Sequence, residues 1–286
     1  MRANPADECP NSWTEGHPLS HRQLSLLKRR NLNLLTEDHG PVRILTLNRP
    51  EKHNALNLEL TKALLFALHA ADEEDRVHSI VLAGAGKSFC AGADTSEFNA
   101  LTPEDPGAVN HRAALTSQLH LTFSKISKPI ISAVRGNALG GGAGLAIACD
   151  MVVMADTARF GYPELKHGIV AAVVLANLVR QIGKKQAFEL VALAEPIDGN
   201  RAAVLGLVNR VVPEADVLDA ALQLAQRLAS WDPLAMATTK NAFHRAADLS
   251  LAQALDVGRD ANVMMRGFRN VGRGGEKTAR PADSLR

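Results

Sequence analysis

The stretch IISAVRGNALGGGAGLAIACDMVVMA, residues 130–155, decides the fold class of this chain. It begins and ends with short apolar runs, residues 130–134 and 151–155, which have the length and composition of buried strands. Between them, a glycine-rich turn from Gly136 leads into small residues, 140–149, that we interpret as a helix. Strands that alternate with helices indicate an α/β layered core.

The same pattern stands upstream of this stretch. Val42–Leu47 alternates as a strand should, and Asn57 is a good N-cap for a helix whose apolar residues recur with a 3.6-residue period. Residues 79–83 form the next apolar run. This order predicts a β-α-β unit with parallel strands and a right-handed crossover, followed by a further helix over residues 107–125.

The two ends of the chain differ from the middle. The first 35 residues are rich in Pro, Asn, Ser and His and predict a flexible segment, and a core over residues 36–197 follows it. After Asp198 the pattern is mainly helical, so residues 198–265 are predicted to form a helical C-terminal region. Residues 266–286 carry six basic and two acidic side chains and several glycines, which predicts a basic, flexible tail.

Composition excludes several classes of protein. The 286 residues are 46% hydrophobic and 22% charged with a formal charge of +2, which is typical of a globular protein and too small for broad nucleic-acid binding. No apolar run approaches the roughly 20 residues that cross a bilayer. Cys9, Cys90 and Cys149 are too scattered for a disulfide framework or a zinc site, so we expect a cytoplasmic protein without metal.

Two glycine-rich turns, residues 84–94 and 136–144, follow two of the predicted strands and match no nucleotide-binding motif. Such turns let a ligand approach the backbone. The helix that starts at Gly140 has unpaired N–H groups and the positive end of its dipole there, so the N–H of Gly141 is suited to stabilise an oxyanion. The alternative is that these small residues only allow tight packing of the helix on the sheet.

Four motifs decide between these alternatives, because they occur together in one order. They are NRPEKHNALN at 48–57, FCAGAD at 89–94, the segment 128–142 and FGYPE at 160–164. In order and spacing they closely resemble the enoyl-CoA hydratase/isomerase (crotonase) superfamily, over residues 36–265. The resemblance implies an α/β fold, a crotonase-like spiral of β-β-α turns, with a helical C-terminal region that forms homotrimers or hexamers.

The resemblance also implies an acyl-CoA thioester as the ligand, with no cofactor besides the coenzyme A of the substrate. The N–H groups of Ala91 and Gly141 are then the oxyanion hole, and Glu164 is the catalytic acid/base. Asp94 has an equally good role as a helix N-cap, with Glu97 three residues on, and Lys52 has one as a solvated loop residue. The residues implied to bind substrate are Lys52, Ala55, Gly92, Ala93, Asp94 and Gly140.

One departure from the family pattern bears on the reaction. Two-glutamate hydratases carry a second carboxylate where this chain has Gly144, and bulkier residues replace a glycine-rich stretch at 168–174. A single carboxylate suffices for a 1,3-shift of a double bond, whereas hydration usually employs two. The sequence therefore favours isomerisation slightly. Hydration stays open if the water is oriented by backbone groups, Tyr162 or His167, and so does a non-catalytic CoA- or RNA-binding role.

Overall fold

The computed structural model describes residues 33–271. Six of its strands form one sheet in the order β1-β2-β3-β4-β6-β8, in which β1 and β2 are antiparallel and all other neighbours are parallel. The remaining two, β5 and β7, pair in parallel in a second, small sheet. The strands are β1 Leu34–His39, β2 Val42–Leu47, β3 Ser79–Gly84, β4 Ile130–Val134, β5 Asn137–Leu139, β6 Met151–Ala155, β7 Arg159–Gly161 and β8 Arg210–Val212.

Helices connect and cover these strands. The described helices are α1 Leu58–Glu73, α2 Pro106–Lys125, α3 Gly141–Ala148, α4 Leu175–Ile182, α5 Lys184–Leu193, α6 Gly199–Val204, α7 Val217–Ala229, α8 Pro233–Ala247 and α9 Leu251–Val271. Asn57 caps α1, as predicted, since its side chain accepts a hydrogen bond from the N–H of Leu60 at 2.9 Å. The predicted parallel β-α-β unit is likewise confirmed, because β2 and β3 pair in parallel across α1.

The core explains the short apolar runs of the sequence. Every residue of β4 is buried, and β3 and β6 are buried over most of their length. Strands of a parallel sheet that is covered on both faces read as continuous apolar runs rather than alternating ones. Helix α3 is also buried after its first residue, because glycine and alanine let it pack closely against its neighbours. Its first turn is thereby held in the interior of the protein.

Three boundaries differ from the sequence prediction. Strand β8 lies within the region predicted to be helical, and it extends the main sheet beside β6. Helix α9 continues to Val271, so the first six residues of the predicted tail are helical, because the glycine at 267 does not end a helix that is already propagating. Strand β1 begins at Leu34, inside the predicted flexible segment. The rest of that segment and residues 272–286 lie outside the described residues.

No helix among residues 33–271 combines the length and the apolar character that are needed to cross a membrane.

Candidate active site

The two glycine-rich turns lie against each other at the start of α3. Gly92 has a φ of +98°, and a Cβ at this position would lie 2.8 Å from the carbonyl oxygen of Leu139 and 3.1 Å from the nitrogen of Gly141. The backbone of Cys90 forms hydrogen bonds with both ends of β5. Its N–H donates to the carbonyl oxygen of Asn137, and its carbonyl oxygen accepts from the N–H of Leu139. The backbones of the two turns are therefore in direct contact, and only glycine fits at their closest approach.

The N–H of Ala91 is not available to an oxyanion, which corrects the sequence prediction. It donates to the carbonyl oxygen of His53 at 2.9 Å. The physical reason is that the loop preceding α1 lies against this turn and presents the carbonyl of His53 to the amide of Ala91. A donor that is already paired with a backbone carbonyl cannot also hold a developing charge at full strength.

Ala93 provides the amide that Ala91 does not. The two neighbours of Ala93 form backbone hydrogen bonds with Leu56. The N–H of Leu56 donates to the carbonyl of Gly92 at 2.7 Å, and the carbonyl of Leu56 accepts from the N–H of Asp94 at 3.1 Å. In this bridge the N–H of Ala93 points away from Leu56. Its nitrogen lies 3.7 Å from the place of a Cβ on Gly141. The amide of Ala93 is thus on the side of the turn that faces the start of α3.

Gly141 is the first residue of α3, so its N–H has no acceptor in its own helix. Within residues 33–271 no hydrogen bond occupies the N–H of Gly141 or that of Ala93. Gly140, by contrast, is anchored, because its N–H donates to the carbonyl of Gly161 at the end of β7 at 2.8 Å. Two free amides, one of them at the positive end of a helix, form a place where an oxyanion can bind.

Glu164 lies beside this pair of amides. It belongs to the 3₁₀ helix Pro163–His167, which directly follows β7. A Cβ on Gly140 would lie 2.8 Å from Oε1 of Glu164. Burial raises the pKa of the Glu164 carboxyl, because the charged form is poorly solvated there. The carboxyl group predicted from the sequence therefore lies against the residue that precedes Gly141, and its affinity for a proton is raised.

The hydroxyl of Tyr162 is buried near the same carboxyl. The side chain is fully buried and packs edge-on against Phe160, with 5.7 Å between the ring centroids. Burial and then the charge of Glu164 raise the pKa of Tyr162 well above its ordinary value. Tyr162 thus stays protonated and gives the site a neutral hydroxyl.

The position of the absent second carboxylate is filled by other side chains. A Cβ on Gly144 would overlap Cγ1 of Val174 and would lie 2.7 Å from Cε1 of His120. Val174 immediately precedes α4, and His120 lies on α2. The bulky residue that the sequence has at 174 therefore occupies the space beside Gly144, and a histidine from a distant part of the chain lies against the same glycine.

The carboxylate of Asp94 is paired with side chains and backbone of the protein and does not face the amides of Ala93 and Gly141 as a free group. Its Oδ2 forms a 2.8 Å ion pair with Nη2 of Arg49, and its Oδ1 accepts from both the N–H and the hydroxyl of Ser96. The predicted N-cap is thus confirmed. Glu97 does not complete the capping box, because its side chain accepts from the N–H of Leu58 instead. Burial alone would raise the pKa of Asp94, but the hydrogen bonds from Ser96 and Arg49 outweigh it and leave the pKa lowered.

The loop of residues 52–55 is held by its own hydrogen bonds. Lys52 is exposed at the end of the 3₁₀ helix Pro50–Lys52, whereas Ala55 is buried and its carbonyl accepts from Nη1 of Arg49. Asn54, which the sequence analysis did not single out, donates to the carbonyls of Ala85 and Ser88 and so ties this loop to the first glycine-rich turn. Ligand contacts of Lys52 and Ala55 stay predictions.

His120 and Arg49 are the other residues of this region that sequence reasoning missed. For His120 the only signal was its place between Leu119 and Phe123 on the buried face of α2, where a polar side chain is unusual. Arg49 stands next to a proline in a turn and has no periodic signal at all. Its role depends on contacts with Ala55 and Asp94 that only the folded chain creates.

A spiral α/β core in which two glycine-rich turns meet beside a desolvated carboxyl group defines a crotonase-type protein. The family model described as enoyl-CoA hydratase/isomerase matches residues 37–267. The chain belongs to this family and is an enzyme of the enoyl-CoA hydratase/isomerase type.

Individual relatives agree with this assignment. The chain is 37% identical to a putative enoyl-CoA hydratase of Thermus thermophilus over 80% of this chain and 90% of the relative. It is 38% identical to the 2,3-dehydroadipyl-CoA hydratase of Escherichia coli over 78% and 86%. Among solved structures, an enoyl-CoA hydratase from Polaromonas sp. JS666 has a TM-score of 0.80 at 33% identity, covering 84% of this chain and 94% of its own.

Proposed function

We propose that this enzyme shifts the double bond of a 3-enoyl-CoA thioester to the 2-position, with Glu164 as the single acid/base. The observation that carries the proposal is that the Glu164 carboxyl lies against Gly140, immediately before the free amide of Gly141. No second carboxylate occupies the neighbouring turn of α3 within the described chain, where Val174 and His120 flank Gly144. One carboxylate that removes and returns a proton is sufficient for this reaction.

The proposed reaction consists of two proton transfers. Glu164 takes a proton from C2 of the 3-enoyl thioester, and the electron pair of that bond moves into an enolate. The enolate oxygen accepts hydrogen bonds from the N–H groups of Ala93 and Gly141. These donors are preorganised, because the backbone holds them in place before the charge develops. The same proton then returns from Glu164 to C4 while the double bond forms between C2 and C3. In this proposal Ala93 replaces Ala91 as the second donor of the oxyanion hole.

Hydration of a 2-enoyl-CoA is the second candidate function. It is favoured by the names of the relatives, which are hydratases, and by the polar ring of His120 beside Gly144. Its chemistry needs the same enolate and the same pair of amides. The two candidates therefore differ in what lies near C3 and C4 of the acyl chain, not in how the thioester is held.

An assay with 3-enoyl-CoA and 2-enoyl-CoA in parallel tests the proposal. We expect conversion of the first substrate to the 2-enoyl isomer, and loss of that activity by at least about 100-fold in Glu164→Gln, since a positioned acid/base contributes ~10² to 10⁴ in rate. Glu51→Gln, which makes the same change at an exposed carboxyl of the 3₁₀ helix Pro50–Lys52, is the matched control. Hydration as the sole activity, or an unchanged kcat in Glu164→Gln, would contradict the proposal.

We further infer that the enzyme is a homotrimer or a hexamer of two trimers. The C-terminal helices expose large apolar side chains that a single chain leaves in water, among them Phe243 of α8 and Leu251, Leu255 and Val263 of α9, each at least 64% exposed. Exposed apolar patches of this kind mark protein–protein interfaces. Light scattering on the purified protein tests the inference, and a monomeric mass at micromolar concentration would contradict it.

A further inference from the structure

Four buried polar atoms have no hydrogen-bond partner among the residues that the structure describes. They belong to three side chains and are Nδ1 and Nε2 of His120, the hydroxyl oxygen of Tyr162 and Oε2 of Glu164. An unpaired buried polar atom costs about 1–3 kcal/mol, so such atoms are rare unless a ligand or water completes them. Glu164 and His120 lie against the first two turns of α3, and Tyr162 is close enough to Glu164 for the carboxylate charge to raise the pKa of Tyr162. Their coincidence points to a polar molecule that binds there.

The placement of His120 is specific. Its side chain is only 8% exposed, and Cε1 is the ring atom that faces Gly144. Because Cε1 is bonded to both ring nitrogens, the polar edge of the imidazole is directed toward α3. Gly144 is one helical turn beyond Gly140, and its N–H donates to the carbonyl of Gly140 at 3.0 Å. His120 and Glu164 therefore lie against the same helix about 6 Å apart along its axis.

The charge state of His120 suits a neutral partner. Burial lowers the pKa of His120 to about 4, so the ring is uncharged at neutral pH. A neutral imidazole has one nitrogen that donates and one that accepts. Such a ring is a weak base and no counter-ion, but it can hold a water molecule in a fixed orientation.

We propose that His120 is a water-positioning residue that gives this enzyme a hydration activity. The proposal rests on the proposed function, because it uses the same amides and the same carboxyl group. In this proposal the acyl chain runs from the amides of Ala93 and Gly141 along α3 toward Gly144, so that C2 lies beside Glu164 and C3 lies one bond nearer to His120. Water held by His120 is then placed to attack C3.

The step balances with one carboxyl group. Glu164, protonated at the start, gives its proton to C2 while the water oxygen forms a bond to C3. The proton lost by the water goes to the other oxygen of the same carboxyl, so Glu164 ends in its initial state. His120 accepts a hydrogen bond from the second hydrogen of the water and transfers no proton. This assignment agrees with the raised pKa of Glu164 and makes no demand on the basicity of His120.

The ratio of the two activities tests the proposal. His120→Leu removes both ring nitrogens, and His120→Asn and His120→Gln each restore an amide near one of them. We expect kcat for hydration of 2-enoyl-CoA to fall in His120→Leu by about 10-fold more than kcat for isomerisation, the factor that the loss of one hydrogen bond typically produces, with partial recovery in one of the amide variants. His111→Leu, which makes the same change at an exposed position of the same helix, is the control and should leave the ratio unaltered.

Each result has one meaning for His120. If both activities of His120→Leu fall together, or if hydration is unchanged, the ring has only a structural role and the proposal is overturned. Wild-type enzyme that isomerises without hydrating also overturns it. Wild-type enzyme that only hydrates, and does so through His120, contradicts the proposed isomerisation but supports this inference. Should His120→Leu fail to fold, the two amide variants provide the same comparison.

Discussion

Two polar regions of this enzyme flank the same pair of glycine-rich turns and are built in opposite ways. In the Arg49–Asp94 region, both charged side chains have partners within the protein. Arg49 bonds to Asp94 and to the carbonyl of Ala55, and Asp94 also accepts a hydrogen bond from Ser96. In the Glu164–His120 region, four buried atoms lack partners within the described part of the chain. Both regions contain buried polar atoms, so the burial of such atoms does not distinguish them. The difference lies in whether the protein satisfies its own polar groups.

Buried polar residues of these two kinds have different roles in the enzyme. A satisfied network stabilises one conformation and leaves nothing for a ligand, which is why Asp94 is a better structural residue than a binding residue. An unsatisfied group costs stability in the free protein, and that cost is recovered when substrate or water binds. Substitutions in the two regions should therefore have different effects. In the Arg49–Asp94 region they should lower stability, and in the Glu164–His120 region they should lower activity.

The largest effect should come from Glu164→Gln. The variant keeps the shape of the side chain but cannot accept and return a proton, so we expect kcat for the proposed isomerisation to fall by ~10² to 10⁴. The KM should change little, because the amides of Ala93 and Gly141 are untouched. Steady-state kinetics on 3-enoyl-CoA measure both quantities. A fall confined to KM would show that Glu164 binds substrate without moving a proton.

The next largest effect should be on stability, from Asp94→Ala. The side chains of Arg49 and Asp94 are 12% and 7% exposed, and removing one partner of such a buried pair costs about 3–5 kcal/mol. Asp38→Ala is the control, because Asp38 is 45% exposed in its pair with Arg43 and should cost no more than about 1 kcal/mol. Urea unfolding of both variants gives the two values. Equal losses would mean that the Arg49–Asp94 pair contributes no more than a surface pair.

The pH dependence of this loss has a defined sign. The pKa of Asp94 is lowered in the folded protein, so its contribution is complete above the unfolded pKa of about 3.9 and is lost as the pH falls through the folded value. The free energy of unfolding of Asp94→Ala should therefore approach that of the wild type only in acid. A difference between the two proteins that is constant from pH 7 to pH 3 would contradict this.

A smaller effect is expected from Gly144→Ala. The added Cβ would overlap Val174 and press on His120, and overpacking of this kind costs about 1–3 kcal/mol. Shortening the obstructing side chain in Gly144→Ala/Val174→Ala should recover part of the loss, which makes the two substitutions non-additive. The free energies of unfolding of both single variants and the double variant close the cycle. Strict additivity would show that the two positions do not contact each other.

The smallest effect should be a gain in stability of Glu164→Gln at neutral pH. Because burial raises the pKa of Glu164 in the folded protein, ionisation destabilises the folded state as the pH rises through that value. Glutamine does not ionise, so the variant should have a higher Tm than the wild type at pH 8. The difference should vanish below the unfolded pKa of about 4.3. A lower Tm at pH 8 would mean that the carboxylate has stabilising partners.

Much of the fold could be predicted from local patterns. The cap at Asn57, the parallel pairing of β2 with β3 and the helix that follows β5 depend on short-range periodicity and turn chemistry, and all three are present. Strand β8 was missed because three residues at the edge of a sheet carry too little pattern to separate them from the helices around them. Pairing with β6, not its own sequence, makes this segment a strand.

The sequence alone determined the ingredients of the site, because glycine-rich turns, a helix start and a glutamate after a short strand are local features. It could not decide which amide is free, since the direction of the N–H groups of Ala91 and Ala93 depends on the turn at Gly92 and on the partners that His53 and Leu56 supply. Nor could it bring His120 to Gly144, because that contact joins two helices across the fold. Such contacts depend on close packing in three dimensions. In this protein the packing decides which polar groups have partners within the chain and which can bind a ligand.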